Sequence, residues 1–277
     1  MIRDILVNLS VGAKSDPGAD FALSVAQAFN AHVTGCAFGL EPDINLAFFP
    51  AIPADFSVSQ REEARKFAES TAARFAEAAR LMSIAVESRA EVATVDGAAV
   101  AFGRLARLFD LAIVTQPEPD KSGIEGALLE AALFDSGRPV LAVPYVQKKP
   151  LKLDRVLVAW DGGRAATRAV AEAEPFLARA KQVEVVVVES GRVDPADLPG
   201  ADLAKHLARH GLKVELRRIV QAAGQEIAST LQNEVFENGF DFLVMGGYGH
   251  SRLREFMLGG TTRSIVEAMT VPVLMAH

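Results

Sequence analysis

The chain has a single cysteine, Cys36, among its 277 residues, so no disulfide can form within it. A reducing compartment is compatible with that. No apolar run reaches the ~18 residues of a transmembrane helix. The opening Met1-Ile2-Arg3-Asp4-Ile5-Leu6-Val7 reads as a strand, not as a charged and then apolar leader. A cytoplasmic protein is expected. There is no Gly-x-x-x-x-Gly-Lys-Ser/Thr loop, which excludes a P-loop ATPase, and no paired Cys/His spacing of a structural zinc site. No Gly-x-Ser-x-Gly elbow supplies a hydrolase nucleophile. Charge of one sign is lacking too: the net charge is -6 with acids and bases interspersed, which argues against general binding to nucleic acid or to a membrane surface.

What is present is an alternation of strands and helices, in a chain that is half hydrophobic and long enough for two ordinary domains. Ile5–Leu9 is a short apolar strand, and Asp16-Pro17 starts a helix with Phe21, Val25 and Phe29 on one stripe. A second strand runs from His32 to Phe38. Leu40 to Phe56 carries prolines and no periodicity, and reads as a long loop: a lid, a partner surface or an insertion packed on its own domain. Ser59-Gln60-Arg61-Glu62 has capping-box spacing, and Ala64, Phe67, Thr71, Phe75, Ala78 and Met82 then form a long helical face. The first half closes with a strand near Ile84–Val95, a helix near Ala98–Leu108, a strand Leu111–Thr115, a helix near Gly126–Phe134 and a strand Val140–Val143.

Val146-Gln147-Lys148-Lys149-Pro150 is a polar linker closed by proline. The pattern then starts again: strand Leu153–Ala159, helix Ala165–Leu177, strand Val183–Glu189, helix Ala201–His210, strand Lys213–Val220, helix Glu226–Phe236. The repetition is visible in residues. Phe109-Asp110-Leu111-Ala112-Ile113-Val114 matches Phe240-Asp241-Phe242-Leu243-Val244-Met245, and Pro139-Val140-Leu141-Ala142 matches Pro272-Val273-Leu274-Met275. Such a tandem duplication, with near-continuous apolar strands, predicts two doubly wound α/β domains, residues 1–147 and 151–277, built on parallel sheets covered on both faces.

The most informative stretch closes the second copy. A buried strand, Phe242 to Met245, runs into Gly246-Gly247-Tyr248-Gly249, and nine residues later come Gly259-Gly260-Thr261-Thr262 at the start of a helix carrying Ile265, Val266 and Met269. Glycine lets the backbone take positive φ and lets a ligand approach its N–H groups. A helix start adds free N–H groups and the positive end of the macrodipole. Together these form a phosphate cradle; a pair of tight turns is the plainer reading of the same glycines.

Gly246-x2-Gly249-x9-Gly259, with the flanking strands Phe242–Gly246 and Val271–Met275, resembles the nucleotide-binding signature of the universal stress protein family. The resemblance is strong in the second half and weak in the first. It implies an adenine nucleotide alpha hydrolase-like fold with five parallel strands per domain, an adenine nucleotide ligand (ATP, ADP or AMP, with or without magnesium), and two halves paired about a pseudo-twofold axis. Pairing of whole chains into a homodimer stays open. One position departs from the family: Gly260 stands where Ser or Thr is usual after the last glycine, with hydroxyls following at Thr261 and Thr262.

In open α/β sheets a ligand binds beyond the carboxyl ends of the strands. In the second half those ends carry Ala159-Trp160-Asp161, Val188-Glu189, Val220-Gln221 and Gly246-Gly247, and with Gly249, His250, Gly259, Gly260, Thr261 and Thr262 they make one candidate pocket. The resemblance places Asp161 beside adenine and ribose; an N-cap for the next helix is its alternative. Trp160 stands where the family has a small residue, which points to packing. His250, Arg252, Arg254 and Arg263 surround the glycines, and a cation in the first turn of the last helix, Arg263, is unfavourable unless an anion is bound. The first half has Thr115-Gln116-Pro117-Glu118 in place of the glycines and Ala127-Leu128-Leu129 after Gly126, so its cradle is lost. Glu189 and Glu255 are the acids near the pocket, and neither stands in a metal or base motif. The expectation is a stress-response regulatory protein that binds nucleotide in its second domain with little or no hydrolysis. A slow ATPase and a nucleotide-free interaction module are the alternatives.

Overall fold

The computed structural model describes residues 1–41, 54–119, 123–189, 200–222, 224–248 and 260–277, with the backbone alone for residues 54–57. The first half runs β1 (Asp4–Leu9), α1 (Pro17–Phe29), β2 (His32–Leu40), α2 (Ala54–Leu81), β3 (Val86–Ala93), α3 (Val95–Ala106), β4 (Leu111–Thr115), α4 (Glu125–Asp135) and β5 (Val140–Val143). The second runs β6 (Arg155–Ala159), α5 (Arg164–Leu177), β7 (Gln182–Glu189), α6 (Ala201–Arg209), β8 (Val214–Val220), α7 (Ile227–Glu237), β9 (Phe242–Gly246), α8 (Gly260–Ala268) and β10 (Val273–Ala276).

All ten strands lie in one sheet in the order β3-β2-β1-β4-β5-β10-β9-β6-β7-β8. Each half contributes five parallel strands, parallel as the alternation predicts and five as the resemblance implies, and the two halves share one internal order. The halves meet through β5 and β10, which pair antiparallel with Leu274 opposite Leu141. Because that pair is antiparallel, the strands of the two halves point opposite ways, and their carboxyl ends open at opposite edges of the molecule.

Local chemistry accounts for the repeated Phe-Asp. Asp110 Oδ2 accepts from the backbone N–H groups of Arg3 (2.8 Å) and Asp4 (3.1 Å). Asp241 Oδ2 accepts from those of Asp154 and Arg155, both at 3.1 Å. In each copy the carboxylate ties the start of the central strand to its neighbour. Asp16 caps α1 as its sequence predicts: Oδ1 accepts from Ala19 (3.1 Å), Oδ2 accepts from Ser10 (2.7 Å), and Pro17 takes the first turn where its missing N–H costs nothing.

Three sequence expectations are corrected. The helix after the first long connection begins at Ala54, so Ser59 lies inside α2 and does not cap it, and Phe56 belongs to the helix. The rest of that connection, residues 42–53, falls outside the described residues. The buried stripe of α2 is Ala68, Thr71, Ala72, Phe75 and Ala79, while Phe67 and Met82 are exposed. The path of the helix over β2 sets that phase: a Cβ at Gly39 would meet the Ala64 carbonyl oxygen at 2.3 Å. Finally, the strand expected to reach Val95 stops at Ala93, because Thr94 caps α3 by accepting from Gly97 N–H at 3.2 Å.

The sheet separates two cores. On one face α1, α2, α5 and α6 bury Phe29, Phe75, Phe176 and Phe242, and on the other α3, α4, α7 and α8 bury Phe102, Leu128, Leu231 and Ile265. Both run across the junction between halves. Phe29 of α1 meets Phe176 of α5 edge to face at 5.0 Å, and Phe176 stacks on Phe242 of β9 at 5.0 Å. Among the described residues no helix is long and apolar enough to cross a membrane.

Candidate functional site

Register brings the expected strand ends together. Val158 lies opposite Val244 and Ala159 opposite Val186, so the ends of β6, β7 and β9 form one rim. Ala159 and Val188 are half-buried on the face covered by α7 and α8. Trp160 lies on the opposite face with Leu203 and Leu216, and its Cδ1 comes 3.6 Å from where a Gly200 Cβ would stand. It is a packing residue there. Val220 ends the outermost strand opposite Glu189 and is 74% exposed, which puts it at the margin of the rim. Glu189 is buried and ion-paired with Arg218.

The glycine stretch divides into parts with different reasons for glycine. A Cβ on Gly246 would stand 2.5 Å from the Ala166 nitrogen and 2.8 Å from the Ala165 carbonyl carbon, so this glycine lets α5 pack against the end of β9. A Cβ on Gly247 would stand 2.8 Å from Leu133 Cδ2, on α4 of the first half. At Gly260, the exposed first residue of α8, a Cβ would meet no described atom within 4 Å. Gly249, His250 and Gly259 lie outside the described residues, as do Arg252, Arg254 and Glu255.

Between these parts Tyr248 takes φ 54° and is buried. Its N–H donates to Thr262 Oγ1 at 3.1 Å, which joins the end of β9 to the first turn of α8. Thr262 is therefore buried and committed to the loop, while Thr261 beside it is half-buried. The Tyr248 ring lies 4.8 Å from that of Phe134, and Phe134 meets His277 edge to face at 5.1 Å. Burial, then the nearby Glu130, pushes the Tyr248 hydroxyl pKa up against the smaller opposite pull of Arg263, so the phenol stays protonated. Arg263 forms a 2.6 Å ion pair with Glu267 one turn on, which offsets its position in the first turn without an anion. Its placement is thus no evidence for phosphate.

Asp161 is exposed just past β6, and its Oδ1 accepts from the N–H of Gly163 at 2.7 Å. Gly163 is the N-cap of α5. The carboxylate thus shapes the turn into the helix, and Gly162 takes φ 73° within it.

The corresponding place in the first half is lined by other residues. Pro117 Cγ lies 3.8 Å from where a Gly126 Cβ would stand, over the first turn of α4. Gln116, standing where the second half has Gly247, is 1% exposed, and its Nε2 donates to the Val266 (2.7 Å) and Glu267 (3.1 Å) carbonyls at the far end of α8. Its Oε1 accepts from Tyr145 N–H at 3.2 Å. The first half therefore holds both ends of the second half's loop-and-helix unit, through Leu133 and Phe134 at one end and Gln116 at the other. Sequence reasoning missed these three residues. An aromatic inside a glycine cluster, Tyr248, was the one signal that something packs there, and nothing marked its partner.

Residues 152–277 match the sequence model of the universal stress protein family. A universal stress protein of Synechocystis sp. is 28% identical over 155 residues, covering 54% of this chain and 50% of the relative. The match thus spans half the length of that relative. One of Bacillus subtilis is 28% identical over 147 residues, covering 45% of this chain and 99% of its own. Among solved structures, a universal stress protein of Archaeoglobus fulgidus superposes with a TM-score of 0.73 at 18% identity, covering 99% of this chain and 97% of that one. At that identity the likeness speaks for the fold of the whole chain.

Proposed function

With residues 152–277 belonging to the universal stress protein family, we propose that the chain is a stress-response regulatory protein of the cytoplasm that binds one ATP or related adenine nucleotide beyond β6 and β9. The observation that carries this reading is the start of α8. Its exposed first residue, Gly260, is brought beside the end of β9 by the Tyr248–Thr262 hydrogen bond, and the added Cβ would meet no described atom. The first N–H groups of a helix have no intrahelical acceptor and sit at the positive end of its dipole, which suits a phosphate. In this reading Gly249, Gly259, Gly260 and Thr261 supply backbone N–H groups to the phosphates, with His250 beside them. Ala159 and Val188 line the base, and the exposed Asp161 carboxylate accepts from a ribose hydroxyl.

The domain covering residues 151–277 then holds the nucleotide, and that covering residues 1–147 holds none, since Pro117 has no N–H to offer a phosphate and Glu118 beside it repels one. Hydrolysis is slow or nil: of the described acids at the rim, Glu189 is engaged by Arg218 and Asp161 accepts from Gly163 N–H in the turn into α5, and backbone cradling binds ground and transition states alike. A nucleotide-free interaction module is the second reading. Gly246 and Gly247 favour it, because packing alone accounts for both.

Isothermal titration of nucleotide-stripped protein with ATP, ADP, AMP and GTP tests the proposal. Saturable binding of an adenine nucleotide at about one per chain, with GTP much weaker, is the expected result. No heat with any of them moves the interaction module to the front, and two equivalent sites would show that the first crevice is open. Phosphate release with magnesium, assayed on the same protein, is expected below about one turnover per second, the low end of ordinary enzymes.

A further inference from the structure

The two halves differ at the amino-terminal end of their strands, on the face covered by α3 and α7. Register aligns Asp4, Thr34 and Arg89 of the first half with Arg155, Glu184 and Arg217 of the second. The spacing to the repeated phenylalanines aligns Gly103 with Glu234 and Phe109 with Phe240.

In the second half these positions are filled by a charge network. Arg217 Nε lies 2.6 Å from Glu184 Oε1 and its Nη1 lies 2.7 Å from Glu234 Oε1. Arg155 pairs with Glu184 at 3.3 Å, bonds the Asn238 carbonyl and sets its guanidinium 4.6 Å over the Phe240 ring. In the first half both glutamates are gone, replaced by Thr34 and Gly103, and Asp4 stands in place of the stacked arginine. What remains is an open groove of about 440 Å³ lined by Asp4, His32, Thr34, Glu87, Arg89, Leu105, Leu108 and Phe109. Asp4 Oδ1 holds His32 Nδ1 at 3.2 Å. Arg89 makes no ion pair or side-chain hydrogen bond among the described residues.

The second half thus shows what chemistry the groove accepts: a carboxylate against the arginine of the edge strand, and a cation over the phenylalanine ring. The first half keeps the arginine and the ring, and adds the Asp4 carboxylate beside the place the cation would take. We propose that this groove binds a small zwitterion, its carboxylate on the Arg89 guanidinium and its cationic group between the Asp4 carboxylate and the Phe109 ring. Two carboxylates, Asp4 and Glu87, against one guanidinium leave an excess negative charge, so a ligand with one carboxylate and two cationic groups, such as a basic amino acid, complements it. The volume falls within the roughly 300–1,000 Å³ of small-molecule pockets, and Leu105 and Leu108 supply the apolar wall for a methylene chain. No part of this rests on the nucleotide reading, since the groove is lined by residues of the first half alone and shares none with the nucleotide rim of the second.

The test is titration of the full chain with L-arginine and with agmatine, which lacks the carboxylate. Saturable arginine binding is expected, weakened at least about tenfold both for agmatine and in Arg89→Gln, as loss of a charge-assisted pair requires. A second variant, Thr34→Glu, restores the acid that the other half carries and should pair with Arg89, closing the groove: arginine binding is lost while the thermal midpoint does not fall. Absence of saturable arginine binding to the unmodified chain overturns the proposal. So does equal affinity for agmatine, or for arginine in either variant.

Discussion

Gly246 and Gly260 show how residues of one motif carry opposite physical demands. An alanine at Gly246 would press its Cβ to 2.5 Å from the Ala166 backbone nitrogen, where neither partner is a flexible side-chain end. At Gly260 the same methyl meets no described atom, and the position is helical. Gly246→Ala is therefore expected to cost about 1–3 kcal/mol as overpacking. Gly260→Ala is expected to gain about 0.4–1 kcal/mol by restricting the unfolded chain. Urea unfolding of the two variants checks the signs; equal effects would mean that the two glycines are not separated by packing in this way. At the same scale, Cys36 is buried in β2 and burial pushes its thiol up to about 12, which keeps it neutral and unreactive at physiological pH.

The unit that matters at the next scale is the end of β9, Tyr248 and the first turn of α8, held as one piece by a hydrogen bond and two rings. Thr262→Val keeps the shape but removes the acceptor from a buried N–H, at an expected cost of about 1–3 kcal/mol. Phe134→Ala removes the ring against which Tyr248 rests, although Phe134 belongs to α4 of the other half. Both are expected to weaken adenine nucleotide binding roughly fivefold or more, about the worth of one aromatic contact or hydrogen bond. Calorimetric titration of the folded variants measures it. Unchanged affinity in both would detach the nucleotide from α8 altogether.

Seen whole, the molecule is a pair of half-sheets that each need the other's edge. β10 is buried along its length because β5 covers it, and Leu274 is wholly inaccessible. Phe29 and Arg179 reinforce the same junction: the guanidinium lies 4.2 Å from the Phe29 ring centroid and donates to the Ala28 carbonyl at 2.6 Å. Expressed alone, residues 151–277 would present β10 as an open apolar edge, which invites pairing with another strand. That fragment is expected to sediment as a dimer or larger species, with β10 paired to its own copy; a stable monomer would show that the junction protects nothing. The full chain satisfies this edge internally, which is why its two halves need no second copy to complete the sheet.

The duplication and the alternation of strands and helices were legible in the sequence, because apolar periodicity and chain punctuation are local properties that repeat with the fold; the strand order was not. Phe109-Asp110 and Phe240-Asp241 could be matched by eye, and the structure adds the reason: each aspartate closes the start of a central strand. Other features depend on which surfaces meet, and no local pattern encodes that. The capping spacing at Ser59 is real chemistry overruled by a helix that starts earlier, and Phe67 faces outward because Gly39 admits the α2 backbone along another line. Asp161 was open between ligand and turn in the sequence, and the structure shows its bond to Gly163. Arg263 reads as a phosphate partner in the sequence, and in the structure it pairs with Glu267 one turn on. Only the tertiary structure could show that Gln116, Leu133 and Phe134 support the opposite half's loop, since the chain that separates them from α8 and Tyr248 is more than a hundred residues long. The sequence by itself determined what each half is; the antiparallel meeting of β5 and β10 decided that each half becomes part of the other's surroundings.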